Sequence, residues 1–394
     1  MIPDIERSVS PTLGSLQPSM TLGITAKAKA MKAEGKDITS MSAGEPDFDT
    51  PEHIKQAAAD SLKAGETKYT PVAGRPELRE AIAEKLKSEN KIDYSADNVV
   101  VSPGAKYSVF SVITVLCKEG DEVILPKPYW LSYEQMVRAA GATPVFVEAY
   151  MEDEYCLTRQ NLEKAVTDRT KLLVLNTPGN PSGNMYTRDL LEQIADVVVR
   201  NDFMVLADEI YEKLVYDQDH EHVSIASLNN DIAARTITVN GFSKSYSMTG
   251  WRLGYSAAPQ WLAKHITALQ SHSTSNPTTF AQPGALAALQ GSQEPVEKMR
   301  RTFAERRELV YSLLNEIKGI NVFKPRGAFY IFPDISEFGL DSMTFADRVL
   351  EEAQVAVIPG KPFGMDTHIR LSYACEEDTI RRTCERLKEF CNKL

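Results

Sequence analysis

The middle of the chain repeats one pattern: a short apolar, β-branched run, a glycine or polar loop, then apolar positions at helical spacing. "NVVVSPGAKYSVFSVITVLC" passes in this way from strand through Gly104 to helix. "DEVILPKPYW", "TPVFVEA", "KLLVLNTPGNPSG", "FMVLADEIYE", "TITVNGFSK" and "RLGYSAAP" supply further strands. Strands that alternate with helices predict an α/β fold, a largely parallel sheet with helices on both faces. Residues 187–201 illustrate a covering helix, with Leu190, Leu191, Ile194, Val197 and Val198 on one stripe.

Beyond about residue 290 the pattern changes. Val296, Met299, Phe303, Val310, Leu314 and Ile317 fall on one face of a long helix. "GAFYIFPDI", "AVIPG" and "HIRLSYA" read as short strands, and a closing helix turns Ile380, Cys384, Leu387 and Cys391 inward. This predicts a smaller α+β domain over residues 291–394. Residues 1–45, with a helix from Ile24 to Glu34, are expected to join it, which leaves 46–290 as the large domain. No long repeat or low-complexity linker intervenes, so the two are expected to pack closely.

Composition narrows the function classes. The 394 residues are 43% hydrophobic and 25% charged, enough for a sizeable core. A net charge of −10 argues against a nucleic-acid or anionic-membrane surface, though a local basic pocket for an acidic small molecule is compatible with it. Five cysteines without a C-x-x-C pair fit a reduced compartment better than a disulfide framework or zinc site. "MIPDIERSVSPTLG" lacks the basic-then-apolar pattern of a secretory signal. No apolar run approaches the roughly 18 residues a membrane helix needs. The expectation is a soluble, cytoplasmic protein with neither nucleic acid nor membrane as partner. "HEH" at 220–222 sits in the polar run "DQDHEH" and reads as a solvated loop, and no metal is expected.

Ligands gather at the carboxyl ends of parallel strands. After "NVVVS", Pro103-Gly104-Ala105-Lys106 opens a helix, whose free N–H groups and dipole favour an anion such as phosphate. After "LLVL" comes a rigid turn, Asn176 to Gly183. After "FMVLA", Asp208 puts an acid at the end of a buried strand, where it needs a cation or hydrogen-bond donors. After "TITV" comes "NGFSKSYSMTGWRLGY": Lys244 stands among Gly241, Ser243, Ser245 and Ser247 with no carboxylate close by, and Arg252 follows eight residues on. Each feature alone has an ordinary explanation as a turn, a salt bridge or a surface lysine. Together they line one rim. The nucleotide signatures G-x-G-x-x-G and G-x-x-x-x-G-K-[ST] are absent.

A lysine, a phosphate cradle and an acid for a protonated ring nitrogen are what pyridoxal 5′-phosphate requires. "GFSKSYSMTGWRLG" resembles the cofactor-lysine signature of class I/II aminotransferases. "SAGEPDFDTP", "YTPVAGRPELREAI", "NTPGNPSG", "DEIYEKL" and "RLSYA" occur in that family's order over nearly the whole chain. The chain is most similar to the bacterial branch of aspartate and aspartate/prephenate aminotransferases. The resemblance implies the fold type I architecture of pyridoxal-phosphate-dependent transferases. It also implies ping-pong transfer of an amino group between L-aspartate or L-glutamate and 2-oxoglutarate or oxaloacetate. The same fold also hosts aminotransferases that prefer prephenate or aromatic and neutral amino acids, and pyridoxal-phosphate-dependent lyases.

By the same resemblance, Lys244 would carry the cofactor and shuttle a proton, and Asp208 would pair with the pyridine nitrogen. Tyr211 and Asn180 would bond the ring's 3′-oxygen; Trp130 would stack on the ring and, with Asn180, border the substrate. Phosphate contacts fall to Gly104, Ala105, Lys106, Ser243 and Arg252, while Gly241 stands where relatives often have serine. Tyr69 would reach the phosphate of a neighbouring subunit, which implies a homodimer with shared active sites. Arg370 would clamp the substrate α-carboxylate beside the backbone of Gly44. Lys106 would face the distal carboxylate, and Ser19 and Thr21 would belong to a segment covering the substrate. Gln17 stands where prephenate-accepting relatives carry a lysine.

Overall fold

The structure is a computed structural model that describes residues 10–14, 16–18, 20–217 and 221–394. Its strands, in chain order, are β1 (Thr39–Ser40), β2 (Val99–Ser102), β3 (Glu122–Lys127), β4 (Thr143–Glu148), β5 (Thr170–Asn176) and β6 (Met204–Asp208). There follow β7 (Thr236–Gly241), β8 (Gly254–Ala257), β9 (Tyr330–Ile331), β10 (Val355–Ala356), β11 (Ile358–Pro359) and β12 (Ile369–Ser372).

Seven of these form one sheet in the order β2-β8-β7-β6-β5-β3-β4. Every neighbouring pair is parallel except those of β8, which runs antiparallel to both β2 and β7. The central strands are apolar on both sides because both faces are covered. On one face the helix Arg188–Arg200 buries Leu191, Ile194, Val197 and Val198. Its start is set by Thr187, whose hydroxyl accepts from the Leu190 N–H. The opposite face packs on Val109, Val112, Ile113 and Tyr133.

The C-terminal elements are smaller. β11, β12 and β9 make a three-stranded antiparallel sheet, and β1 pairs in parallel with β10. The N-terminal helix runs Met20–Ala33, four residues earlier in onset than its apolar pattern predicts. The long helix, Glu294–Asn315, buries Val296, Met299, Phe303, Val310 and Leu314 as expected, and Ile317 is buried just past its end. It also buries Arg306 and Arg307, which apolar periodicity cannot anticipate. Arg306 meets Asp47 at 2.8 Å and Arg307 meets Asp217 at 2.8 Å. Paired charges of this kind are tolerated inside because each retains a counter-ion and hydrogen bonds.

The solvated reading of residues 220–222 needs correction. His220 lies outside the described residues and Glu221 is exposed, but His222 turns inward, its Nε2 3.1 Å from Glu209 Oε2. There it faces the buried Glu209 and the half-buried Glu212. These three residues offer ligand atoms within 4.8 Å of one another. The Lys85 ammonium already sits against Glu212 and donates to Asn90 Oδ1, so Glu212 has a cation of the chain itself as its partner. Among the described residues, no helix is long and apolar enough to cross a membrane.

Phe303 joins the long helix to the sheet region through aromatic packing. Its ring lies 5.6 Å from Phe48 and 5.5 Å from Phe329, all within a core that also holds Tyr211, Tyr330 and Tyr373. Phe303→Ala is expected to cost about 3–5 kcal/mol by removing a fully buried ring, read as a lower urea midpoint at unchanged slope. A loss under about 1 kcal/mol would show that neighbouring rings close the gap.

Candidate active site

β5, β6 and β7 end on one edge of the sheet, at Asn176, Asp208 and Gly241. Because β8 is antiparallel, its start lies on the same edge, and Arg252 just before it returns to the loop that carries Lys244. A cleft of about 470 Å³ opens there. The large sheet's loops contribute Ala105, Lys106, Trp130, Asn180, Asp208 and Tyr211 to its lining. Ser243, Lys244 and Arg252 come from the segment after β7, and Thr21, Gly44 and Arg370 complete it from the N-terminal and C-terminal elements. Of the residues singled out in the sequence, Tyr69 is not brought into this cleft and is 88% exposed, and Ser19 lies outside the described residues.

Gly104 caps the helix Ala105–Leu116 with φ of 90°, and a Cβ there would come within 2.6 Å of Arg252 Nη2. Only glycine meets both demands. The Arg252 guanidinium thus lies against the helix start, with Nη1 also donating to the Thr249 carbonyl at 2.9 Å. A guanidinium, a helix N-terminus and the nearby Ser243 form an anion cradle. At Gly241, a Cβ would lie 2.9 Å from Gly254 Cα and 3.1 Å from the Leu253 carbonyl. The close approach of β7 to β8 therefore excludes the serine that relatives often carry at that position.

The Asp208 carboxylate is buried at the end of β6. Oδ2 accepts from the Tyr133 hydroxyl at 2.6 Å and Oδ1 from the Ile210 N–H at 3.3 Å. Among the described residues it makes no ion pair. Desolvation lifts its carboxyl to about 6, against the pull of those two donors. A folded-state value above the unfolded one means that stability is lost as pH rises through about 6, unless a cation faces the charge. Asn176 braces this corner, donating from Nδ2 to the Asp208 carbonyl at 2.9 Å and accepting from the Asn180 N–H at 2.8 Å.

Lys244 Nζ donates to the Gly44 carbonyl at 2.5 Å and lies 5.9 Å from the Tyr211 ring centre. Desolvation lowers its ammonium to about 8; Arg370, Arg252 and Lys106 push the same way and Glu45 opposes. The neutral, nucleophilic amine is therefore accessible near physiological pH. Arg370, on β12, is 3% exposed. It donates from Nη1 to Asn180 Oδ1 at 3.0 Å and from Nη2 to the Ser42 carbonyl at 3.1 Å, while Nε has no partner among the described residues. Its guanidinium stacks 4.4 Å from the Tyr330 ring, whose hydroxyl meets that of Tyr211 at 3.0 Å. Lys106 Nζ sits 5.0 Å over the Trp130 ring, and desolvation followed by Arg252 lowers its pKa.

Sequence reasoning missed Tyr133, Tyr330 and Asn176. Asn176 begins the turn that holds Asn180, a segment already singled out, whereas Tyr133 stands three residues beyond Trp130, just past the segment that ends there. Tyr330 gave no signal, because "GAFYIFPDI" reads simply as an apolar strand.

The profile of the family described as aminotransferase class I and II matches residues 36–387. An aspartate aminotransferase of Bacillus sp. (strain YM-2) is 48% identical over 381 residues, which are 95% of this chain and 97% of that protein. A probable aspartate/prephenate aminotransferase of Aquifex aeolicus is 46% identical over 99% of this chain and 100% of its own length. The solved structure of the aspartate aminotransferase from Thermus thermophilus with maleate superposes with a TM-score of 0.93 at 41% identity, covering 97% of this chain and 99% of that one. With the profile spanning most of its length and relatives matched nearly end to end, the chain belongs to the class I and II aminotransferases.

Proposed function

We propose that this protein is a pyridoxal-phosphate-dependent aminotransferase that moves an amino group between L-aspartate or L-glutamate and 2-oxoglutarate or oxaloacetate. The observation that carries the dicarboxylate preference is the convergence of two cations, Arg370 and Lys106, on the cleft that holds Lys244. Two carboxylates on one substrate answer two fixed positive groups. The dicarboxylate maleate in the Thermus relative's structure agrees with that chemistry.

The residues present fit the cofactor. The cradle of Gly104, Ala105, Ser243 and Arg252 suits a phosphate, and a desolvated Asp208 with no ion pair among the described residues suits a protonated ring nitrogen. Tyr211 and Asn180 supply polar groups for the ring oxygen, and Trp130 an aromatic face. When bound, pyridoxal phosphate supplies the electron sink that makes a substrate Cα–H bond acidic. The protein does the rest. Arg370 grips the α-carboxylate beside Gly44, Lys106 draws in the distal one, and Thr21 borders the substrate from the N-terminal segment. Lys244 Nζ takes the Cα proton from the amino donor and returns one to Cα of the oxo-acid acceptor in the second half of the cycle. Its lowered pKa keeps enough free amine for that work.

In this reading residues 46–290 hold the cofactor, while 1–45 and 291–394 carry Gly44 and Arg370 and close over the substrate. The exposed Tyr69, outside its own cleft, reaches the phosphate of a second copy in a homodimer. Five free cysteines fit a cytoplasmic location. The Aquifex relative's name gives prephenate as a further acceptor to include. Here the uncharged Gln17 stands near the entry segment, its N–H bonded to Gln135 Oε1 at 3.0 Å, so a panel of acceptors including prephenate measures how far that use extends.

Lys244→Ala should leave a folded protein that binds the cofactor but transaminates about 10²–10⁴-fold more slowly or worse. In the unaltered protein borohydride should bleach the yellow colour and fix the cofactor to Lys244. Transamination at the normal rate in Lys244→Ala would overturn the assignment. Lys106→Ala should lower kcat/KM for aspartate by roughly 30-fold, as expected for a lost desolvated carboxylate contact, and change alanine or phenylalanine far less. Equal losses for charged and uncharged donors would assign Lys106 to the phosphate.

A further inference from the structure

Tyr133 is 1% exposed and its hydroxyl donates to Asp208 Oδ2 at 2.6 Å, the shorter of the two hydrogen bonds that the carboxylate receives. The local fold dictates this contact. Tyr133 lies in the first turn of the helix Ser132–Ala139, and its N–H donates to the Trp130 carbonyl at 2.9 Å. That turn sets the two aromatic rings edge to face, with centroids 5.2 Å apart and planes at 87°. The face of Trp130 carries the Lys106 ammonium at 5.0 Å. One helical turn therefore connects the acid of the site, its stacking aromatic and the cation assigned to the distal carboxylate.

We propose that Tyr133 is a positioning residue for the cofactor ring: its hydroxyl holds the Asp208 carboxylate in a single orientation and in its charged form, aimed at the ring nitrogen. This rests on the cofactor reading above and adds to it a residue outside the expected set. A buried phenol needs some partner, and an ordinary core tyrosine would satisfy that need with a backbone carbonyl. Here the partner is a carboxylate with no ion pair among the described residues, and a hydrogen bond to a charged acceptor is the strong kind. The phenol remains a donor across the working range, because burial and the adjacent Asp208 hold its own proton firmly. The groups facing Asp208 are Tyr133 from the helix, Glu209 just past the end of its strand, and Tyr211 and Lys244 from the neighbouring loops. Desolvation and Glu209 favour protonation of Asp208; Tyr133, the Ile210 N–H and Lys244 oppose it. Removing one hydroxyl therefore tips the acid toward its neutral form.

The test is cofactor affinity of the apo-protein, titrated spectroscopically with pyridoxal phosphate from pH 6 to 9, for wild type, Tyr133→Phe, Asp208→Asn and the double variant. Melting temperatures verify folding. Tyr133→Phe keeps the ring and its packing, and should weaken binding about ten- to a hundred-fold, the scale of a charge-assisted hydrogen bond. The loss should be larger at pH 6 than at pH 9, because the proton then competes more effectively for Asp208. In the Asp208→Asn background the same substitution should change affinity less than about two-fold, since both act through one carboxylate. Trp130→Phe retains the hydroxyl, so whatever affinity it loses, it should keep the wild-type pH profile. An unchanged affinity and pH profile in Tyr133→Phe, or equal losses in both backgrounds, would overturn the proposal while leaving the cofactor reading intact. Failure of the wild-type apo-protein to bind pyridoxal phosphate would overturn that reading, and the role of Tyr133 with it.

Discussion

The site is organised around the cost of burying one carboxylate. Asp208 ends a central strand of the sheet, where water is excluded and the charged form is disfavoured. The chain meets that cost with the Tyr133 hydroxyl and the Ile210 N–H, and it locks the backbone beneath with Asn176. What remains unpaired is an acid whose natural complement is a cation from outside the protein. Such an arrangement is poor for stability and good for function, which is the usual relation at a catalytic centre.

A second constraint is the crowding of like charges. Lys244, Lys106, Arg252 and Arg370 converge on one cleft of a chain with a net charge of −10. Desolvation, helped by repulsion from the other three, brings Lys244 down to about 8. The same repulsion would be relieved by anionic ligands, so the electrostatically unsatisfied cleft suits the phosphate and substrate carboxylates of the proposed function. Arg370 illustrates the balance: buried, stacked on Tyr330, bonded to neutral oxygens and lacking a carboxylate partner among the described residues. A surface lysine of similar charge would be screened and worth little.

Behind the rim, charge is handled in the opposite way. Glu212 is held down to about 2: burial pushes it up, but Lys85, His222 and Asn90 outweigh that. Glu209, adjacent to Asp208 in sequence, accepts from Ser224 Oγ at 2.6 Å. Neighbouring acids thus have different fates, one hydrogen-bonded inside a structural network and one left open toward the cleft. The direction in which successive side chains leave the strand end separates them.

Much of this was legible in the linear chain. Alternating strand and helix patterns specify a parallel sheet because apolar runs of that length must be covered on both faces, and the residues that end those strands must share a rim. Asp208, Asn180 and Lys244 could be named for that reason, and the motifs around them point to one family. Contacts between segments distant in sequence carry no such periodic signal. The reversal of β8, the packing that forces glycine at Gly241, the inward turn of His222 and the burial of Arg306 and Arg307 all arise from three-dimensional neighbours. Tyr133 belongs with them: its acceptor lies 75 residues away. Local pattern reports which residues must be buried; which buried polar groups meet depends on how the layers stack, and that is decided only when the chain is folded.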